Sequence, residues 1–384
     1  MEELYLLVED SELFGRQIKK KIEEELHRDV VWVKTLADTK YILSDNKYKF
    51  TAALLDYILP DSSHGEHVDL VLGKGIPTIV FTGDITGELR NNIWKKKVAD
   101  YLLKDDPKCI DNIISSVLRL EKNREIIILI VDDSELFRKV ISELLYSQQY
   151  RVLTAKNAVE AMPILNKYED IKVIISDYNM PILNGVEFCR AVRKKWSRET
   201  KGFIGISSAG DGRMAADFIK SGADDFIVKQ NFVNEELYHR LNKCIESIDL
   251  IQAAKKVAIT DFLTGLPNRR YFFDVGEKLL ASSKRDNIIL TCAMIDIDFF
   301  KKVNDNYGHD VGDIVLIEIA EILKKTFRDS DIVARMGGEE FAVMTVNLNP
   351  ENLTEKFEGL REEIEKTKIS YDINEPEISV TVST

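Results

Sequence analysis

The pentapeptide Asp10-Ser-Glu-Leu-Phe14 returns unchanged as Asp133-Ser-Glu-Leu-Phe137, 123 positions further on. The match extends to either side of it. Leu6-Leu7-Val8 runs into the acidic pair Glu9-Asp10, and Leu129-Ile130-Val131 runs into Asp132-Asp133. A helical spacing of apolar residues follows each pair, with Ile18, Ile22 and Leu26 in the first copy and Phe137, Ile141, Leu144 and Leu145 in the second. A duplicated unit of this length restricts the first two thirds of the chain to two similar domains in tandem.

Each copy continues in the same order. An apolar run ends on a lone acid (Ala52 to Leu55 into Asp56; Val173 to Ser176 into Asp177). The next ends on a hydroxyl (Thr78 to Phe81 into Thr82; Phe203 to Ile206 into Ser207), and the last on a lysine (Asp100 to Leu103 into Lys104; Asp225 to Val228 into Lys229). The lysine follows the hydroxyl by 22 positions in both copies, which selects Ser207 over its neighbour Ser208. Strands alternating with helices predict a parallel sheet covered on both faces, with ligands bound at the carboxyl ends of the strands. Every polar residue just named falls at such an end. One of them alone could be a solvated strand terminus, but the repeated set points to shared chemistry. Phosphoryl transfer to a carboxylate needs a nucleophilic Asp, acidic ligands for a divalent cation, and a lysine and hydroxyl for the phosphoryl oxygens.

This constellation resembles the receiver domain of two-component response regulators, over about residues 1–122 and 125–245. The resemblance implies flavodoxin-like doubly wound (βα)5 folds, with Asp56 and Asp177 as phosphoacceptors. It places Glu9, Asp10, Asp132 and Asp133, with the phosphoacceptors, around Mg²⁺, for which Mn²⁺ could substitute. Thr82 and Ser207 become switch hydroxyls, Lys104 and Lys229 phosphate-binding lysines, and Tyr101 and Phe226 switch aromatics. A cognate histidine kinase or phosphotransfer protein is the implied partner. Asp105 and Gln230 stand where the family usually has proline after the lysine, and Glu9 replaces a commoner Asp.

The chain has 384 residues and a formal net charge of −12, which argues against a nucleic-acid partner. Its apolar runs fall short of membrane-spanning length, and the acidic start is unlike a signal peptide. Cys109, Cys189, Cys244 and Cys292 are scattered with no CxxC, as expected for a reducing cytoplasm without disulfides or a zinc site. His64 and His67 beside Asp61 are either a transition-metal site or a polar loop.

Ile110 to Asn123 leads directly into the second copy, so the two are expected to pack side by side. Leu241, Cys244, Ile248 and Ile251 then follow 3-4-3 spacing. They read either as a coiled-coil connector over 246–260 that dimerises the chain or as an amphipathic helix capping its own domain.

The last segment, 261–384, is built around Gly337-Gly338-Glu339-Glu340-Phe341. Apolar residues on both sides predict two short strands and a tight turn. The glycines would let a phosphate approach the backbone, and the acids could bind a hard cation; the alternative is an ordinary hairpin with solvated acids. Ahead of it, Asp261-Phe-Leu-Thr-Gly-Leu-Pro-Asn-Arg-Arg270 marks a structured turn before a helix, and Ile289 to Ile295 a buried strand closed by Asp296. Asp298 is placed to cap the following helix. Asn304 and Asp313 could together read a guanine edge, or serve as caps.

In order, DxLTGLPNRR, DIDFFKxxND, GHxxGD and RxGGEEF are similar to the GGDEF domain of diguanylate cyclases, an α/β nucleotidyl-cyclase-like fold. The family joins two GTP molecules into cyclic di-GMP and pyrophosphate. The resemblance assigns Mg²⁺ to Asp296, the Ile297 carbonyl and Glu339, with Glu340 in the same acidic cluster. Asn304 and Asp313 would bind guanine, with Phe299, Phe300 and Leu316 as walls, and Gly337 and Gly338 would admit the phosphates. One loop glutamate would assist hydroxyl deprotonation. Arg328 and Asp331 match the family's inhibitory cyclic di-GMP site, where the alternative is a local ion pair. Two facing domains are needed for the reaction, so a homodimer is expected. Val380 to Thr384 falls within an expected central strand, so the chain reads as cut short. A GTP- or cyclic di-GMP-binding module without catalysis, or a phosphotransfer scaffold, are the competing functions.

Overall fold

In a computed structural model, the chain is described at residues 3–45, 47–83, 87–208, 212–231, 233–286, 288–371 and 377–384. It divides into two compact units, Met1–Asp249 and Leu250–Thr384.

The first unit holds both repeats. The first runs β1 (Glu3–Val8), α1 (Glu12–Leu26), β2 (Val30–Val33), α2 (Leu36–Ser44), β3 (Lys49–Asp56), α3 (Glu66–Gly73), β4 (Thr78–Thr82), α4 (Gly87–Lys95), β5 (Asp100–Leu103) and α5 (Cys109–Asn123). Its strands pair in parallel in the order β2-β1-β3-β4-β5. The second runs β6 (Ile127–Val131), α6 (Glu135–Ser147), β7 (Arg151–Ala155), α7 (Ala158–Lys167), β8 (Ile171–Asp177), α8 (Gly185–Arg193), β9 (Gly202–Ser207), α9 (Gly212–Ser221), β10 (Asp225–Val228) and α10 (Asn234–Ile259). Its order, β7-β6-β8-β9-β10, is the same topology, again parallel. Central strands such as β6 and β4 are buried along their length, as a sheet covered on both faces requires. Ser11 and Ser134 cap α1 and α6 in the same way, each accepting from the Phe three residues on. The repeated DSELF therefore encodes a strand end, a cap and a first helical turn.

The copies do pack side by side. Trp94 on α4 lies against the apolar clusters of both, its ring 5.8 Å from Tyr238 of α10. Its indole N–H donates to Glu235 Oε1 at 2.5 Å, and Arg90 pairs with the same carboxylate. Lys97 pairs with Glu143 at 2.6 Å, and Lys122 with Asp249 at 2.5 Å. Leu241, Cys244 and Ile248, open above between a dimerising connector and a helix capping its own domain, are buried in the second copy's core. The sheet face beneath α10 claims them first. Beyond them, Leu250 and Val257 on α10 are exposed.

The second unit contains α11 (Arg269–Asp286), β11 (Leu290–Ile297), α12 (Phe300–Tyr307), α13 (His309–Thr326), β12 (Ile332–Gly337), β13 (Glu340–Val346), α14 (Pro350–Lys366) and β14 (Val382–Ser383). Its strands are antiparallel in the order β12-β13-β11-β14. β11 continues two residues past its expected end, so Asp296 lies inside the strand. The segment expected as a central strand supplies β14, at the edge of the sheet among the described residues. Among the described residues, no helix is long and apolar enough to cross a membrane.

Candidate functional site

The carboxyl ends of β1, β3 and β5 bring Glu9, Asp56 and Lys104 together. Lys104 Nζ lies 2.8 Å from Glu9 Oε2 and 2.6 Å from Asp56 Oδ2. Glu9 and Asp56 are buried, while Asp10 is exposed at the rim. Carboxylate oxygens of Glu9, Asp10 and Asp56 lie within 4.8 Å of one another. The second copy repeats the lysine bridge, with Lys229 Nζ 2.6 Å from both Asp132 Oδ2 and Asp177 Oδ1, while among the described residues the close carboxylate triad is that of the first copy. Backbone N–H groups hold the acids, Ile58 to Asp56 at 3.2 Å and Asn179 to Asp177 at 2.8 Å. Thr82 and Ser207 close β4 and β9 as buried residues, and the Lys104 N–H donates to the Thr82 carbonyl at 2.9 Å. Tyr101 and Phe226 are half-buried on β5 and β10.

Burial pushes the Asp56, Asp177 and Glu9 carboxyls above the ordinary carboxylate range, although the lysines pull them down. Burial alone would lower both lysines, but their carboxylate partners outweigh it and hold them high. Each pocket therefore carries more buried negative charge than one lysine balances. All-oxygen donors in that state suit a hard divalent cation.

Two supports went unread in the sequence. Lys104 lies over the Phe14 ring at 5.1 Å, and Lys229 over Phe137 at 4.1 Å. Both phenylalanines belong to the repeated pentapeptide, so the repeat itself was the available signal. The Trp32 indole donates to the Glu9 carbonyl at 2.8 Å, passing over Gly15, where any side chain would collide with it. In the second copy, Arg138 holds the Asp132 carbonyl at 2.5 Å.

The histidines do not form a metal site. His67 is buried between the Asp56 carbonyl and Ser62, Asp61 accepts from the Leu36 and Ala37 N–H groups, and His64 is exposed.

In the second unit, β12 and β13 form the expected hairpin, with Gly337 opposite Glu340. Gly337 (φ 143°) and Gly338 (φ 54°) need positive φ, and open space surrounds both. Across the sheet, Glu340 stands opposite Asp296. Glu339 is half-buried and the other two acids are exposed. Arg335 fixes the turn, its Nη2 donating to the Gly338 carbonyl at 2.8 Å and its Nη1 to Asp261 Oδ1 at 3.0 Å. Asp261 also accepts from the Thr264 N–H at 2.9 Å and its hydroxyl at 2.8 Å, and the Arg335 N–H donates to the Pro267 carbonyl. This staple joins the first and last motifs of the unit. Asp261 and Arg335 were visible as motif letters, but their pairing across 74 positions was not.

Asn304 lies against Gly312, where a side chain would collide with its Oδ1. Asp313 is exposed on α13. Phe300 and Leu316 belong to the core, whereas Phe299 is 72% exposed, at φ 56° just before α12. Asp298 is not that helix's cap: it accepts from the hydroxyls of Thr381 and Ser383, both at 2.6 Å. Those bonds tie it to β14 instead. Asp331 accepts from the Arg328 N–H at 3.1 Å and the Val346 N–H at 3.3 Å, so its oxygens serve the backbone. The Arg328 side chain is exposed beside a cavity of about 550 Å³ lined also by Tyr271, Val275 and Leu279.

A parallel α/β unit with an acid–lysine pocket, followed by a glycine-turn unit, defines a signalling protein of two functional parts. Comparison with known families agrees. Residues 128–242 match the response regulator receiver domain, and residues 258–384 match the diguanylate cyclase GGDEF domain. A solved two-component system response regulator/GGDEF domain protein is 30% identical, with a TM-score of 0.57; the match covers 64% of this chain and 99% of that one. Diguanylate cyclase A of Treponema denticola is 42% identical over 131 residues, 33% of this chain and 35% of that protein. Response regulator PleD of Caulobacter vibrioides is 28% identical over 233 residues, 56% of this chain and 48% of that protein. The matches thus span less than half of these two curated relatives. The chain belongs to the two-component response regulators that carry a GGDEF domain.

Proposed function

We propose that this chain is a phosphorylation-controlled diguanylate cyclase that joins two GTP molecules into cyclic di-GMP and pyrophosphate. The observation that carries the reading is the open Gly337-Gly338 turn, with Glu340 opposite Asp296, Glu339 at the turn, and the turn's backbone clamped by Arg335. Asp296, the Ile297 carbonyl and Glu339 would hold Mg²⁺ or Mn²⁺, which neutralises phosphate charge when bound. Asn304 and Asp313 bind guanine, Phe299 supplies an exposed stacking face, and Phe300 and Leu316 support the pocket from the core. One loop glutamate, Glu339 in preference to Glu340, accepts the proton of the attacking 3′-hydroxyl. Arg328, with Asp331 shaping its backbone, binds product at the inhibitory site.

Both copies in the first unit act as receivers in this reading. The matching topology and the matching acid–lysine pockets support extending the assignment to residues 1–122. Asp56 and Asp177 take a phosphoryl group from a histidine kinase or phosphotransfer protein. Lys104, Lys229, Thr82 and Ser207 bind it, and Glu9, Asp10, Asp132 and Asp133 complete the Mg²⁺ sites. Tyr101 and Phe226 respond to the hydroxyls. Two chains pair to bring two GTP-loaded turns face to face, using the exposed Leu250 and Val257 of α10.

Full-length protein incubated with GTP, Mg²⁺ and acetyl phosphate tests the reading. Chromatography should show cyclic di-GMP, lost in Glu339→Gln. GTP binding without turnover under every condition would refute catalysis and leave a binding module.

A further inference from the structure

The two copies support their lone acids differently. Gly185 follows Asp177 by eight positions, and Gly65 follows Asp56 by nine. In the second copy, Gly185 lies so close to the Asp177 carbonyl that a side chain there would collide with it. In the first copy, with one more residue in the loop, the Asp56 carbonyl is met by the imidazole of His67. That ring is fully buried, with Nε2 2.5 Å from the Asp56 carbonyl oxygen and Nδ1 2.8 Å from Ser62 Oγ. Ser62 is also buried and donates to Glu66 Oε2 at 2.6 Å. A carbonyl only accepts, so Nε2 carries a proton in either charge state of the ring.

This bond bears on the carboxylate through the peptide that follows it. Holding the Asp56 carbonyl fixes the plane of the 56–57 peptide, whose Tyr57 N–H donates to the Phe81 carbonyl at 3.0 Å. The next N–H, of Ile58, donates to Asp56 Oδ1 at 3.2 Å, and Oδ2 is then turned towards Lys104 at 2.6 Å. Main-chain position and side-chain direction are thereby set together.

We propose that His67 is the positioning residue for Asp56; in the second copy the Asp177 carbonyl accepts instead from the adjacent Ser176 hydroxyl at 3.1 Å. In the transfer, an Asp56 oxygen lone pair forms the new O–P bond as the bond from phosphorus to the donor's leaving group breaks with its electron pair. His67 touches neither partner; it holds the nucleophile where attack is in line. The inference rests on the reading of Asp56 as a phosphoacceptor.

The test uses the full chain with acetyl phosphate and Mg²⁺, followed on phosphate-affinity gels. In an Asp177→Asn background only Asp56 can be labelled, and in an Asp56→Asn background only Asp177. His67→Met fills the site without a donor, and His67→Gln restores an N–H of similar reach. Loss of one aligned contact should lower the limiting Asp56 rate in His67→Met about tenfold, with half-saturating acetyl phosphate little changed. His67→Gln should recover most of the rate, and Asp177 labelling should be the same in all three chains. An unchanged Asp56 rate in His67→Met, no rescue by His67→Gln, or an equal fall at Asp177 would overturn the proposal. Failure of Asp56 to label with His67 intact would instead remove the phosphoacceptor reading, and the proposal with it.

Discussion

Replacing Trp94 with Ala should uncouple the two halves of the first unit. Trp94 contacts both apolar clusters and Tyr238, and donates to Glu235. Truncating a buried Trp costs about 3–5 kcal/mol; Trp94 is half-buried, so roughly 2 kcal/mol of packing is at stake. A hydrogen bond to a carboxylate adds about 1.5 kcal/mol, part of which Arg90 preserves by keeping its own pairing with Glu235. The sum, about 3 kcal/mol, is roughly two powers of ten in the equilibrium that couples the copies. Urea unfolding followed by circular dichroism is the assay. The unchanged protein should lose both copies in one transition, and Trp94→Ala in two, the more labile one shifted to lower urea. Trp94→Phe, which keeps most of the ring contact and loses only the N–H, should shift the midpoint by about a third as much. A single transition at the original midpoint in Trp94→Ala would refute the assignment of coupling to this side chain.

Arg335→Met should cost about 2–3 kcal/mol in the urea stability of the second unit, because Asp261 is left largely buried without its cation. It should also reduce cyclic di-GMP formation by freeing the Gly338 carbonyl, and a turnover equal to the parent's would count against the staple. Burial alone would raise the Asp261 carboxyl, but Thr264 and Arg335 outweigh it and hold it below the ordinary range. Its stabilisation is therefore full at neutral pH and lost as pH falls through that depressed value; urea midpoints taken down into acid should show this slope in the parent and lack it in Asp261→Asn. Arg328→Ala should leave the initial cyclase rate unchanged while relieving inhibition by added cyclic di-GMP, measured by pyrophosphate release.

The repeat made the first unit legible because parallel strands place chemistry at their ends. Five polar positions recur in the same order in both copies, and the acids and lysines among them meet at the strand ends. The Gly337-Gly338 hairpin was legible for a similar local reason, since apolar runs flanked a turn that needs positive φ. Pairings between distant positions were not. Arg335 could have faced any of several acids, and only the fold selects Asp261. Asp298 had the right residue type and position for a helix cap, but the hydroxyls of Thr381, just before β14, and Ser383, within it, compete for it. The 3-4-3 spacing of Leu241, Cys244 and Ile248 fits a dimer seam and a core-facing helix equally, and burial decided for the core. His67 was read beside His64 and Asp61 because they are near in sequence; on α3 it faces inward and meets the Asp56 carbonyl instead.

The indole of Trp32 gives the first pocket an optical readout of its own. Its N–H is bonded to the Glu9 carbonyl, so its emission senses the electric field at the acidic pair. Of the chain's three tryptophans, Trp94 sits between the copies and Trp196 packs against the second copy's core. In a chain with those two replaced by phenylalanine, and on the proposed reading of Asp56 as a phosphoacceptor, the remaining fluorescence would follow cation loading and phosphoryl transfer there in real time. The second pocket, whose equivalent carbonyl is held by Arg138, would stay dark.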